Sequence, residues 1–225
     1  MPAFEEERRE VLQAVQRIAA VGLVSGSSGN VSRRITTADG DLIAVTASSV
    51  PYDRFTVDDV LVVDFDVEPV VGDGVPSSES LTHLAIYNAR PDVGAVIHTH
   101  SIHASAFAVA GRQIPPVLDE QVIILGGVIE VAAYGSSASQ DLADKCVAAL
   151  GVRAAVLLRQ HGVVGVGRQL GEAVAVVELV ERIAQVHVLS TMLGGANELA
   201  ADVVAREQQV YRMLHGFGPA TSSGG

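Results

Sequence analysis

Apolar residues at the start of the chain recur at helical spacing. Val11, Val15, Ile18 and Gly22 form one stripe, widened by Leu12 and Ala19, which predicts a helix over residues 4–22. Glu5, Glu6 and Glu7 fall in its first turn, where the helix dipole favours negative charge. The pattern then shortens to strand-length runs. Residues 31–35 and 42–45 predict paired strands around the Ala38-Asp39-Gly40-Asp41 turn, and residues 60–65 predict a third. Pro76-Ser77-Ser78-Glu79-Ser80 opens a helix to about residue 89, capped by Ser77 or Ser78 with Glu79 in the first turn, and stopped by Pro91. A strand over 93–99 and a short helix over 101–109 follow, while 117–127 suits either a strand or a helix. Further on, the pattern predicts a strand at 128–132, a helix at 139–150, strands at 154–158 and 163–166, and a long helix at 172–193. A last helix at 197–215 closes the series. With no internal repeat and no linker, residues 1–218 read as one domain, and 219–225 as a disordered tail.

Composition adds a few bounds. Hydrophobic residues make up 48% of the 225 and charged residues only 18%, below the usual quarter, so the core is ample and the surplus apolar surface suggests an oligomer. Aromatics are scarce and Trp is absent, leaving the packing to Val, Ala, Leu and Ile. A net charge of −11 argues against nucleic acid and an anionic membrane as partners, although a local site can still oppose the global sign. Cys146 is the only cysteine, which excludes an internal disulfide and makes a reducing cytoplasm the expectation. The first twenty residues lack a signal-peptide core, and no apolar run is long enough to span a bilayer.

The chemistry begins where the 93–99 strand ends in His98-Thr99-His100. Residues i and i+2 of a strand share a face, about 7 Å apart, so both imidazoles can converge on one metal ion; two cavity-lining histidines fit equally. A catalytic zinc takes three protein ligands and keeps an open position. His161, isolated in a turn between two apolar strands, is the natural third ligand, and Glu79 supplies a carboxylate. Ser25-Gly26-Ser27-Ser28-Gly29-Asn30 and Thr46-Ala47-Ser48-Ser49 are small, hydroxyl-rich loops that suit an anion-binding nest or an ordinary turn. His83 reads as a packing residue or a support behind the ligands, His103 near the site mouth as solvated or such a support, His187 as core or interface, and Cys146 as a small buried residue.

Five segments, Gly26-Ser27-Ser28-Gly29-Asn30-Val31-Ser32, Thr46-Ala47-Ser48-Ser49-Val50-Pro51-Tyr52, Pro76-Ser77-Ser78-Glu79, His98-Thr99-His100 and Gln160-His161-Gly162, make the chain resemble the class II aldolase/adducin family. Within it the likeness is to the L-fuculose-phosphate aldolases, and it runs over about residues 5–218. The resemblance implies an α/β fold, a three-layer α/β/α sandwich with a mostly antiparallel central sheet. It implies a homotetramer with sites between subunits, and zinc (or cobalt or manganese) held by His98, His100 and His161. By the same resemblance Glu79 is the catalytic base, and Gly26, Ser28, Gly29, Asn30, Thr46, Ser49, Ser77 and Ser78 bind a substrate phosphate. The implied reaction cleaves an L-fuculose 1-phosphate-like ketose 1-phosphate to dihydroxyacetone phosphate and an aldehyde, through a metal-stabilised enediolate and without a Schiff-base lysine.

The chain departs from the family pattern in places. Ser49 replaces a glycine, and Glu120 and Phe217 stand where tyrosines assist the aldehyde half, with Tyr134 and Tyr211 as candidate replacements. Glu79, where related 4-epimerases tend to carry Asp, favours the aldolase. The alternatives are a decarboxylase, dehydratase or epimerase of the same family, and a non-catalytic adducin-like assembly module.

Overall fold

The computed structural model describes residues 3–217. The tail expected at 219–225, and residues 1, 2 and 218 of the expected domain, lie outside the described residues. In chain order the elements are α1 (Glu5–Ala20), β1 (Asn30–Thr37), β2 (Gly40–Thr46), β3 (Val60–Val63), β4 (Pro69–Val71), α2 (Ser80–Ala89) and β5 (Ala95–Thr99). Then come α3 (Ile102–Ala110), α4 (Asp119–Leu125), β6 (Val131–Ala132), α5 (Gln140–Leu150), β7 (Ala155–Leu158), β8 (Gly162–Gly167), α6 (Leu170–Met192) and α7 (Ala201–Leu214). The strands form one sheet in the order β4-β3-β2-β1-β5-β8-β7-β6. Every pairing is antiparallel except β6 with β7. Helices cover both faces, as the family resemblance implied.

Strand alternation sorts the core. On β1, Val31 and Ile35 face α1, and on the same sheet face Ala95 and Ile97 of β5 lie under α6. On the opposite face Ile43, Val45, Val96, Val164 and Val166 pack against α2 and α5. Asn30 pairs with His98 in the β1–β5 register, so both side chains lie on this α2 face.

A polar seam runs between α2 and β1. Glu79, His83 and Tyr87 recur every four residues, and Asn30, Ser32 and Arg34 every two, so a helix face and a strand face meet rung by rung. Asn30 Nδ2 donates to Glu79 Oε2 at 3.2 Å. Ser32 Oγ lies 2.7 Å from His83 Nδ1 and 2.8 Å from the Tyr87 hydroxyl. The Arg34 guanidinium donates to the Tyr87 carbonyl and stacks over the Tyr87 ring. These bonds fix the register of α2 on the sheet and with it the position of Glu79.

The structure departs from the sequence expectations in particular places. Glu79 is the N-cap residue of α2 and lies outside its first turn. The ambiguous 117–127 stretch folds as α4. β6 is only two residues long, because Ile129 forms an isolated bridge with Ile114. The edge strand β4, which starts on Pro69, carries no alternating signal and was not expected. Of the two readings for His103, the solvated one does not hold: it is half-buried and its Nδ1 lies 2.8 Å from Glu181 of α6. Cys146 is buried, as expected, and burial pushes its thiol up to about 12.

Two predictions follow from the packing. A Cβ on Gly94 would come within 2.2 Å of the Arg168 carbonyl oxygen, a backbone atom. Gly94→Ala therefore destabilises by about 1–3 kcal/mol, read as a lower denaturation midpoint with an unchanged slope. Burial pushes His83 down to about 4, so the unfolded chain takes up a proton near pH 6.5 that the fold accepts only at about pH 4. Unfolding free energy should thus fall by roughly 3 kcal/mol as pH drops through that window, and His83→Gln should flatten the slope in denaturant titrations at stepped pH.

Candidate active site

β5 carries His98 to the end of the sheet, and the chain continues through His100 before α3 begins. The β7–β8 turn, with Gln160 in the left-handed region at φ 57°, brings His161 alongside. Gly162 permits that approach. A Cβ there would lie 2.4 Å from the Thr99 carbonyl oxygen, 2.9 Å from the His100 ring and 3.0 Å from the His98 ring. The three imidazoles converge within one chain, with one nitrogen of each lying within 4.8 Å of the others. His98 Nε2 and His100 Nε2 are 2.8 Å apart, far closer than two residues along an ideal strand, because His100 lies past the end of β5.

The protonation of His98 is fixed by its neighbours. Its Nδ1 lies 2.8 Å from the Val163 carbonyl oxygen, which can only accept, so Nδ1 carries the proton. Burial pushes its pKa down to about 3, so the ring is neutral and Nε2 presents a lone pair. That lone pair faces Glu79 Oε2 at 3.1 Å. Glu79 Oε1 in turn lies 3.2 Å from His161 Nε2. Burial alone would raise the Glu79 carboxyl. The facing His161, with hydrogen bonds from Ser137 and Asn30, outweighs it and holds the group below its ordinary value. Burial also lowers His100, with further help from the facing His161. Three imidazoles gathered this closely could hold a divalent cation, with the Glu79 carboxylate beside them, and the chemistry of these residues fits zinc.

Beside the cluster lies a cavity of about 240 Å³. Of the expected phosphate residues, Ser28, Gly29, Asn30, Ser49, Ser77 and Ser78 line it together with Glu79, His100 and His161. Gly26 and Thr46 do not. The Thr46 hydroxyl is buried and accepts the Val31 N–H at 3.2 Å, and the Gly26 carbonyl accepts the Tyr52 N–H at 2.9 Å. Both support the loops from behind. Ser27, Ser48 and Ser137 line the cavity without having been singled out. Ser27 and Ser48 sit inside loops already marked by their hydroxyls. Ser137 sits in Gly135-Ser136-Ser137-Ala138-Ser139, a small, hydroxyl-rich run of the same kind, which was the signal available for it. Ser49 holds φ 63°, so this serine keeps the backbone shape of the glycine it replaces, at a conformational cost of about 1–2 kcal/mol.

The expected tyrosine substitutes stand elsewhere within the chain. The Tyr211 hydroxyl donates to the Val152 carbonyl at 2.7 Å, and Phe217 stacks on His215. Glu120 pairs with Arg182 of α6, and Tyr134 is 56% exposed.

Comparison with known proteins gives the family and the fold. Residues 9–188 match the family described as class II aldolase and adducin N-terminal domain. A 5-deoxy-D-ribulose 1-phosphate aldolase from Bacillus thuringiensis serovar kurstaki is 29% identical over 96% of this chain and 98% of its own. The L-fuculose phosphate aldolase of Escherichia coli K12 is 32% identical over 80% of this chain and 81% of its own. A solved L-fuculose 1-phosphate aldolase superposes with a TM-score of 0.85 at 26% identity, covering 92% of this chain and 96% of the other. By sequence match and by fold, the chain belongs to the class II aldolase and adducin family.

Proposed function

We propose that this enzyme is a zinc-dependent class II aldolase that cleaves a deoxyketose 1-phosphate, of the L-fuculose or 5-deoxyribulose type, to dihydroxyacetone phosphate and an aldehyde. The observation that carries the reading is the convergence of His98, His100 and His161 on the carboxylate of Glu79, beside a hydroxyl-lined cavity. His98, His100 and His161 would hold the cation, which acts as a Lewis acid for the negative charge developing on the substrate's oxygens.

Glu79 moves the proton. In the synthetic direction its carboxylate takes a proton from the hydroxymethyl carbon of dihydroxyacetone phosphate. In cleavage the carboxylate first takes up the proton of the hydroxyl on the far side of the breaking bond, as that carbon becomes the aldehyde carbonyl. It then delivers the proton to the hydroxymethyl carbon, where the electron pair of the broken bond has settled. Its lowered pKa keeps it ionised at neutral pH, ready as a base. The Ser27–Asn30 turn and the Ser48, Ser49, Ser77 and Ser78 hydroxyls are the proposed phosphate cradle. Among the described residues lining the cavity Glu79 is the only acid, and no lysine or arginine takes part. Neutral hydroxyl and N–H donors beside the start of α2 would therefore bind the dianion in an acidic protein. Phosphate binding remote from the broken bond then orients the reacting carbons.

The rest of the proposal concerns assembly and place. Residues 1–218 act as one domain in the cytoplasm, with Cys146 as the only thiol. Copies associate as a homotetramer through exposed apolar residues such as Ile102 and Val109 of α3 and Met192 at the end of α6, with sites completed at the interfaces.

Zinc-loaded protein should release dihydroxyacetone phosphate from L-fuculose 1-phosphate or 5-deoxyribulose 1-phosphate in a coupled assay. Silence on both, with metal bound, overturns the proposal. Glu79→Gln keeps the shape but removes the base, so kcat should fall by about 10²–10⁴ with little change in melting temperature. His161→Ala should strip the metal during dialysis against a weak chelator that wild type withstands, read by elemental analysis.

A further inference from the structure

Neither the cation site nor the phosphate cradle accounts for Ser137. Its hydroxyl donates to Glu79 Oε1 at 2.9 Å, the same oxygen that faces His161. Asn30 Nδ2 holds the other oxygen, Oε2, at 3.2 Å. The carboxylate is thus gripped at both oxygens, from β1 and from the loop between β6 and α5.

That loop is built to aim Ser137. The Ser139 N–H and Oγ–H both donate to the Ser136 carbonyl, at 3.3 and 2.6 Å, closing a tight turn with Ser137 and Ala138 at its centre. Ala138 holds φ 61°, a left-handed conformation that strains an alanine. The turn is locked onto α5, where the Leu142 N–H donates to Ser139 Oγ at 3.1 Å. On the other side a Cβ on Gly135 would meet Leu142 Cα at 2.6 Å, so the loop has no room to relax. Strained non-glycine backbone held by close packing is the kind that collects at functional sites. Ser49 and Gln160, also at positive φ, border the same cluster.

We infer that Ser137 is a positioning residue that orients the Glu79 carboxylate for proton transfer, an inference that rests on the aldolase reading above. A hydroxyl suits the task because it both donates and accepts. It donates to Oε1 while Glu79 is a carboxylate and can turn to accept once Oε1 carries the proton. The amide nitrogen of Asn30 only donates. Ser137 can therefore follow Glu79 through both halves of its cycle, whereas Asn30 serves as a fixed stop.

The test compares full-length, zinc-loaded wild type, Ser137→Ala and Ser137→Thr. It measures kcat and KM for whichever ketose 1-phosphate wild type cleaves, solvent-deuterium exchange into dihydroxyacetone phosphate, metal content and melting temperature. Loss of a hydrogen bond to a charged group predicts a drop of tenfold or more in both kcat and exchange for Ser137→Ala. KM and metal content should stay within twofold of wild type, and Ser137→Thr should restore most of the rate. Unchanged kcat and exchange in Ser137→Ala overturns the inference. So does a loss that comes with lost metal, a large drop in melting temperature, or no rescue by threonine, since each of those marks a structural role. A wild type inactive in both assays overturns the aldolase reading itself, and the assignment of Ser137 with it.

Discussion

One hydrogen bond sets the chemistry of this site: His98 Nδ1–H to the Val163 carbonyl, 2.8 Å across the β5–β8 pair. It pins the tautomer, turns Nε2 inward and fixes the ring plane, so the other donors have a defined point on which to converge. The bond exists only because β8, more than sixty residues later in the chain, lies beside β5 in the sheet. The turn that begins β8 also delivers His161, and Gly162 lets it come close enough. A single strand pairing therefore supplies the orientation of one imidazole and the position of another.

The carboxylate arrives by a different route. α2 lies on β1 through a seam of polar contacts, and Glu79 stands at the head of that seam as the N-cap residue. A helix held by apolar packing alone could rotate or slide with modest loss. One held by paired hydrogen bonds to Asn30, Ser32 and Arg34 cannot, because each slip would leave a buried polar group without a partner. The seam thus trades some hydrophobic burial for a fixed register. Left-handed residues around the cavity, Ser49, Ala138 and Gln160, reflect the same priority, with local conformational cost accepted where the backbone has to aim a side chain.

Electrostatics links this geometry to the proposed substrate. The protein carries a net charge of −11, and its candidate anion cradle contains hydroxyls and a helix start in place of arginine or lysine. Neutral donors bind phosphate through directional hydrogen bonds, which favours one orientation over simple charge attraction. A cation held by the three imidazoles would supply positive charge beside Glu79.

Much of this was legible in the sequence, for identifiable reasons. Strand alternation and helical stripes gave the α/β order, and the His-x-His at the end of an apolar run placed two imidazoles on one face before any fold was known. The hydroxyl-rich loops marked most of the cavity wall. What local pattern could not supply was the outcome of competition between distant groups. Thr46 carries a suitable hydroxyl, but burial keeps it behind the loop and out of the cavity. His103 gains its partner only where α6 brings Glu181 to it. Ser137 stands in one more hydroxyl-rich run, and its meaning comes from Glu79, 58 residues away. Residue type and spacing determine which chemistry a chain is able to perform. Which groups perform it is settled by the tertiary structure, because a buried donor or acceptor is committed to whichever partner the packing sets against it.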